Sequence, residues 1–402
     1  MARRCCVVQA ASRKARTARS PSGLWFPTMV THLARRTTLI TALIVLAACA
    51  TVLLLASESQ PGSAVSIVTS PEPTRTAPPS LWQMLGQRIM IGFGGPNASA
   101  QVLARIRRGE VGSVILFTEN IRSLQQVRRL TRSLQRAAAA GGNPPLLIAV
   151  DQEGSTGVKR FQNAPPYLTP PQLTATGNPT KVERIGFDTG RFLRKAGVNW
   201  NLAPVVDVPT SSNSFIRKQG RAFSADPRKV ATFGGAFARG VQRAAVAATA
   251  KHFPGVGSLT IDTDFRLLRV NDNSTQRAEA LLPYRRLIAD GVDTIMLATA
   301  IYPAYDPNHP AALSSAVIGG LLRQELGFGG VTITDGLGSP TGYSEQRAGL
   351  VAAQAGADVL LYTNGAPGVL ARLMRAATNG QLTSESIMQS YQRIIALKRK
   401  IG

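Results

Sequence analysis

From Leu81 onward, eight short apolar runs recur between stretches of helical pattern, and this alternation constrains the fold more than any other feature of the chain. The runs are RIMIGF (88–93), VGSVILF (111–117), LLIAVD (146–151), VNWNLAPVVDV (198–208), AAVAATAKHF (244–253), VDTIMLAT (292–299), GVTITD (330–335) and ADVLLY (357–362). Each is short and continuous, and many are rich in β-branched residues, as parallel strands become when both faces are covered. Helical periodicity fills most intervals, as over Asp226–Ala245, which opens on Asp-Pro, and over Glu345–Ala355. Eight β units alternating with helices over about 320 residues fit one α/β domain, a (β/α)8 TIM-type barrel spanning 81–402. The competing architecture is an open doubly wound sheet. It would carry a Gly-rich phosphate turn after its first strand, which Gly92-Phe93-Gly94-Gly95 matches only weakly.

The first 80 residues read differently. Residues 1–36 are basic, and residues 1–56 hold eight Lys or Arg and no Asp or Glu. Thr37–Ala56 is an uncharged apolar stretch directly after Arg35-Arg36, long enough to span a bilayer with its N-terminal side in the cytoplasm. Within it, Leu46-Ala47-Ala48-Cys49 is similar to a bacterial lipobox, with Met29 as an alternative start. Two readings stand: an uncleaved signal-anchor, or a lipoprotein lipidated at Cys49. Both put the barrel on the extracytoplasmic side of the cell membrane. Ser57–Ser80 is rich in Ser, Pro and Thr without apolar periodicity, so it reads as a disordered linker.

The three cysteines, Cys5, Cys6 and Cys49, all precede the barrel, which excludes disulfides and thiolate metal sites there. The net charge of +24 suggests attraction to polyanions. No helix-turn-helix, zinc-finger or aromatic RNA-binding pattern accompanies it, so no nucleic-acid partner is expected.

In barrels of this kind, chemistry sits where the C-terminal ends of the strands share one mouth. Asp151 ends the third run, Asp207 the fourth, Lys251-His252 the fifth and Asp335 the seventh. One acid at a strand end is ordinarily a capping residue; four polar ends out of eight around one cavity point to a site. Carboxylates with Lys and Arg, but no cysteine or histidine cluster, argue against metal or thiol chemistry. They fit a polyhydroxylated ligand cleaved through an oxocarbenium-like transition state.

Five segments carry a family resemblance. Lys251-His252-Phe253-Pro254-Gly255 with Gly257 resembles the KHFPGxG signature of glycoside hydrolase family 3, in its bacterial β-N-acetylhexosaminidase branch. Asp151-Gln152-Glu153-Gly154 resembles DQEGG, NLAPVVDV (201–208) resembles NFAPVxDV, Arg221–Pro227 resembles RSFGxDP, and GFGGVTITDGL (327–337) resembles GFxGVxxTDxL. The resemblance implies a retaining, cofactor-free glycosidase that removes β-linked N-acetylglucosamine from cell-wall fragments, acting as a monomer on amino-sugar oligosaccharides. It implies Asp335 as nucleophile, with Asp151, Arg160, Arg221, Lys251 and His252 lining the sugar pocket.

Three departures qualify it. The family's loop after KHFPGxG reads DSH, whose histidine is the general acid/base; here Asp262-Thr263-Asp264 puts Asp264 at that position. The segment after Asp151 is one residue longer and lacks the first of two arginines, leaving Arg160 to align with the second. Thr299 stands where a histidine is common, which would alter the pocket wall; His309 reads as a loop residue. An unshifted aspartate is protonated about one part in a thousand at pH 7, against roughly a quarter for histidine. Weak or acid-shifted turnover is therefore expected, with Glu153 and Asp262 as the next acid candidates. The alternative is a catalytically impaired barrel that binds amino-sugar polymers.

Overall fold

The computed structural model describes residues 79–155 and 158–402. The candidate membrane segment, Cys49 and nearly all of the Ser/Pro/Thr-rich linker lie outside the described residues. Among those described, no helix is long and apolar enough to cross a membrane.

Eight parallel strands form one sheet: β1 (Ile89–Ile91), β2 (Ser113–Leu116), β3 (Leu147–Val150), β4 (Trp200–Asn201), β5 (Ala247–Phe253), β6 (Thr294–Leu297), β9 (Val331–Thr334) and β10 (Leu360–Tyr362). Their order is β10-β1-β2-β3-β4-β5-β6-β9. The seam between β9 and β10 is bridged at Ile333 and Val359, so the sheet curls into a nearly closed barrel. Each strand derives from one of the eight apolar runs. The fourth run yields only two strand residues, because Pro204 has no N–H to give the ladder; the chain still continues beside β5 through a bridge between Val205 and Lys251. A short antiparallel ribbon, β7 (Ile301–Tyr302) with β8 (Asp306–Pro310), lies outside the barrel sheet. His309, expected in a loop, is in β8 and turns its Nδ1 to Asp306. The segment DPNHP is polar and twice interrupted by proline, so it gives no strand signal.

Two apolar layers hold the barrel. Inside, Met90, Ile115, Leu147, Ala149, Trp200, Leu202, Met296, Ile333 and Leu361 pack together, and the Trp200 indole donates to Thr249 Oγ1 at 2.8 Å. Ile394, Leu397 and Ile401, from the C-terminal helix Ser384–Ile401, join this inner cluster. The outer layer lies between strands and helices. Helix Pro227–Arg243 starts where the Asp226 side chain accepts from Arg228 N, with proline at its first position. It buries Val230, Phe233, Phe237 and Val241 at helical spacing, each worth about 1.5–3 kcal/mol. Its neighbour, Pro179–Ala196, approaches closely at glycines. A Cβ at Gly240 would lie 2.0 Å from Glu183 O, and one at Gly186 would lie 2.3 Å from Phe237 O. An alanine at either would force the two helices apart.

Candidate active site

The C-terminal ends of the strands surround a cavity of about 290 Å³. Its apolar floor comes from Ile115, Leu202, Met296 and Leu361. Above that floor stand Asp151, Glu153, Arg160, Arg221, Lys251, His252, Asp264 and Asp335. The five pocket residues, the nucleophile and the candidate acid named from sequence are thus brought together. Thr299 is not: it is fully buried and does not line the cavity, so its expected effect on the pocket wall is corrected.

One wall is a chain of ion pairs. Lys251 Nζ sits 2.8 Å from Asp151 Oδ1 and 2.7 Å from Glu153 Oε1. Arg221 grips Glu153 with two hydrogen bonds, Nε to Oε2 at 2.8 Å and Nη2 to Oε1 at 2.9 Å. Arg160 Nη2 reaches Asp151 Oδ2 at 3.3 Å. Gln152 pairs with Lys159, and the Gln152 amide donates to Phe161 O and Pro165 O, which leaves Arg160 beside Asp151.

Burial alone would raise the carboxyls of Glu153 and Asp151. The facing cations outweigh it: Arg221 and Lys251 hold Glu153 down at about 2, and Lys251 with Arg160 hold Asp151 below the usual carboxylate range. Burial pulls Lys251 and Arg221 down in turn, and their carboxylates more than reverse it. The wall is therefore fully ionised near neutral pH. Glu153 cannot serve as a general acid, since it is buried, doubly paired and held deprotonated.

His252 is fixed from both sides. Its Nδ1 lies 2.8 Å from Asp207 Oδ2, while Arg221 Nη2 lies 3.3 Å from its Nε2. The ring thus turns Nδ1 to the Asp207 carboxylate and Nε2 to the Arg221 guanidinium. Asp207 also accepts from the backbone of Val256 at 2.8 Å. Asp207 was legible as a strand-end acid, but its work is to orient His252 rather than to face the ligand.

Asp335 follows β9, and its Oδ1 accepts from the Gly336 amide at 2.8 Å. Asp264 rides on an exposed loop at the rim, where Ser339 Oγ donates to its Oδ1 at 3.0 Å. Partial burial, then Asp335, then Asp262 push the Asp264 carboxyl above the ordinary aspartate value, while Ser339 and His252 oppose them. Ser339 and Gln219 carried no sequence signal, since each lies in a loop without periodicity. Among the described residues, no group of three or more His, Cys, Asp or Glu is arranged to hold a metal ion.

A parallel barrel whose strand ends enclose a sugar-sized pocket of paired carboxylates, guanidinium and ammonium groups defines a barrel glycosidase. The family described as "Glycosyl hydrolase family 3 N terminal domain" matches residues 80–397. A protein described as an uncharacterized secreted glycosyl hydrolase of Arthroderma benhamiae is 32% identical over 329 residues, covering 79% of this chain and 93% of the relative. A Beta-hexosaminidase of Stenotrophomonas maltophilia is 36% identical over 296 residues, 68% of this chain and 82% of the relative. Among solved structures, a glycoside hydrolase family 3 beta-N-acetylglucosaminidase from Paenibacillus sp. str. FPU-7 superposes with a TM-score of 0.78 at 35% identity. That alignment covers 81% of this chain, which spans 63% of the neighbour. The chain belongs to glycosyl hydrolase family 3.

Proposed function

We propose that this protein is a retaining glycosidase that removes β-linked N-acetylglucosamine from cell-wall-derived glycans at the outer face of the cell membrane. Asp335 attacks the anomeric carbon, and Asp264 protonates the leaving oxygen and then activates water. Asp151, Arg160, Arg221, Lys251 and His252 hold the sugar. The observation that carries this reading is the pairing of two unlike carboxylates at one cavity: Asp335 on its wall and Asp264 at its rim, with Asp335 raising the Asp264 carboxyl. A raised carboxyl beside a second carboxylate supplies an acid and a nucleophile in one pocket. The ionised wall supports it further, since fixed opposite charges can hydrogen-bond several ring hydroxyls without reorganising. The beta-N-acetylglucosaminidase and Beta-hexosaminidase relatives support the amino-sugar assignment. The extracytoplasmic location rests on the apolar stretch Thr37–Ala56.

Turnover on a disaccharide, whose leaving group needs a proton, should be low at pH 7 and rise as pH falls toward the raised Asp264 value. Asp264→His should lift the neutral-pH rate by about tenfold or more, since histidine is far better matched to that pH. An unchanged rate in Asp264→Ala would remove Asp264 from the mechanism. The aspartate in a histidine's place also favours a second reading, an amino-sugar-binding barrel. That reading predicts saturable oligosaccharide binding with no release of sugar at any pH.

A further inference from the structure

The rim loop that carries Asp264 is connected to the sugar-side wall through one neutral side chain. Gln219 directly follows the short helix Phe215–Lys218, whose first residue donates its N–H to Leu259 O at the root of the rim loop. The Gln219 amide faces two charged partners of opposite kind. Its Oε1 accepts from Arg221 Nη1 at 3.2 Å, and its Nε2 donates to Asp262 Oδ2 at 3.2 Å. Arg221 offers only donors and Asp262 only acceptors, so this amide orientation is forced, and an amide suits the gap because it both accepts and donates without adding charge. The remaining Asp262 oxygen, Oδ1, accepts from the backbone N–H of Asp264 at 3.2 Å. A continuous run of hydrogen bonds therefore joins Glu153, Arg221, Gln219, Asp262 and the backbone of Asp264.

We propose that Gln219 is a positioning residue: it ties the loop bearing Asp264 to Arg221, so that the acid stands over the glycosidic oxygen when the sugar-side wall is in place. The inference rests on the proposed role of Asp264. Ser339 holds the tip of the same loop through the Asp264 side chain. That bond occupies Oδ1 alone and leaves Oδ2 to carry the proton. Gln219 acts on the backbone instead, and so governs where the acid sits rather than how strongly it holds its proton. Asp335, Asp262, His252 and Ser339 act directly on the Asp264 carboxyl, whereas Gln219 reaches it only through Asp262.

This separation gives the test. In kcat/KM, a dinitrophenyl N-acetyl-β-glucosaminide reports cleavage that needs little protonation. A β-linked N-acetylglucosamine disaccharide reports cleavage that needs the acid. Gln219→Met keeps the length and removes both hydrogen bonds. Gln219→Glu keeps an acceptor for Arg221 but sets a carboxylate against Asp262. Both variants of the full chain should lose about ten- to a hundredfold on the disaccharide, the size of effect a misplaced catalytic group produces. On the aryl glycoside the loss should be no more than about threefold, and that retained cleavage also reports an intact pocket. Gln219→Met should leave the pH dependence of disaccharide cleavage in place while lowering its height. Equal losses on both substrates would make Gln219 merely structural, and no loss on either would make it irrelevant; each overturns the proposal. Asp264→Ala, measured beside them, keeps the two ideas apart. If it shows no preference for the aryl substrate, the role of Asp264 fails, whereas a preference there without one in Gln219→Met sinks only the positioning role.

Discussion

The two ends of the barrel both bury charge, and they differ in what is done with it. At the N-terminal end, Asp358 is fully buried and spends both oxygens on protein: Arg323 Nη2 at 2.7 Å and Thr332 N at 2.9 Å on one, Arg393 Nη2 at 2.8 Å on the other. Arg88 beside it donates to the carbonyls of Ala353, Ala357 and Asp358, and the C-terminal helix contributes Arg393 and Lys398 to this end. At the C-terminal end, Asp151, Glu153, Lys251 and Arg221 are as tightly paired, yet they line open space, and Lys251 and Arg160 keep donor capacity beyond their protein partners. Paired charge closed off by protein serves stability, whereas paired charge left facing a cavity is a binding surface already oriented for a ligand.

The strongest way to break this comparison is at the open end. Asp335→Asn should lower glycosidase activity by about a thousandfold or more while shifting stability by less than about 1 kcal/mol. Activity toward the aryl glycoside and the urea midpoint, read on the same preparation, check it. A large loss of stability would mean that Asp335 belongs to the scaffold.

Next come matched changes at the two ends. Asp358→Asn and Glu153→Gln each remove one partner from a buried ionic cluster, which should cost about 3–5 kcal/mol in either case. Only Glu153→Gln should also raise KM, because Lys251 and Arg221 lose their orientation. If Asp358→Asn changed kcat/KM as strongly, the division of labour between the ends would fail.

The smallest effects are in pH. Glu153 is held at about 2, below its ordinary value, so the stability it supplies is complete above the ordinary glutamate range and is lost as pH falls toward 2. Lys398 changes stability in the same direction with pH but for the opposite reason, because folding disfavours its charged form. It is buried against Gln87 and Gly112 O, and burial lowers its ammonium to about 7. Between about 7 and the ordinary lysine value the unfolded chain binds the extra proton, so stability should rise with pH across that interval. Lys398→Met should flatten the rise, seen as urea midpoints at pH 7 and pH 9 that lie closer together than in the unaltered protein.

These ends were unequally legible in the sequence. Strand positions were visible because parallel strands covered on both faces keep continuous apolar runs, and the polar residues ending four of them marked the open mouth. The closed end hid in the same runs. Arg88 opens the first and Asp358 sits inside the last, where either reads as a strand terminus until burial and partners are seen. The orientation of His252 was equally hidden, since it follows from facing a guanidinium on one side and Asp207 on the other. Gln219 and Ser339 act across distances of 43 and 75 residues, and no local pattern records such contacts.

The most direct test follows the configuration of the sugar released in the first turnovers of a β-linked N-acetylglucosaminide, by proton NMR before mutarotation. Attack by Asp335 and a second displacement by water predict that the β-anomer forms first and the α-anomer grows in later. Initial release of the α-anomer, or no release of sugar under conditions where oligosaccharide binds, would contradict the account.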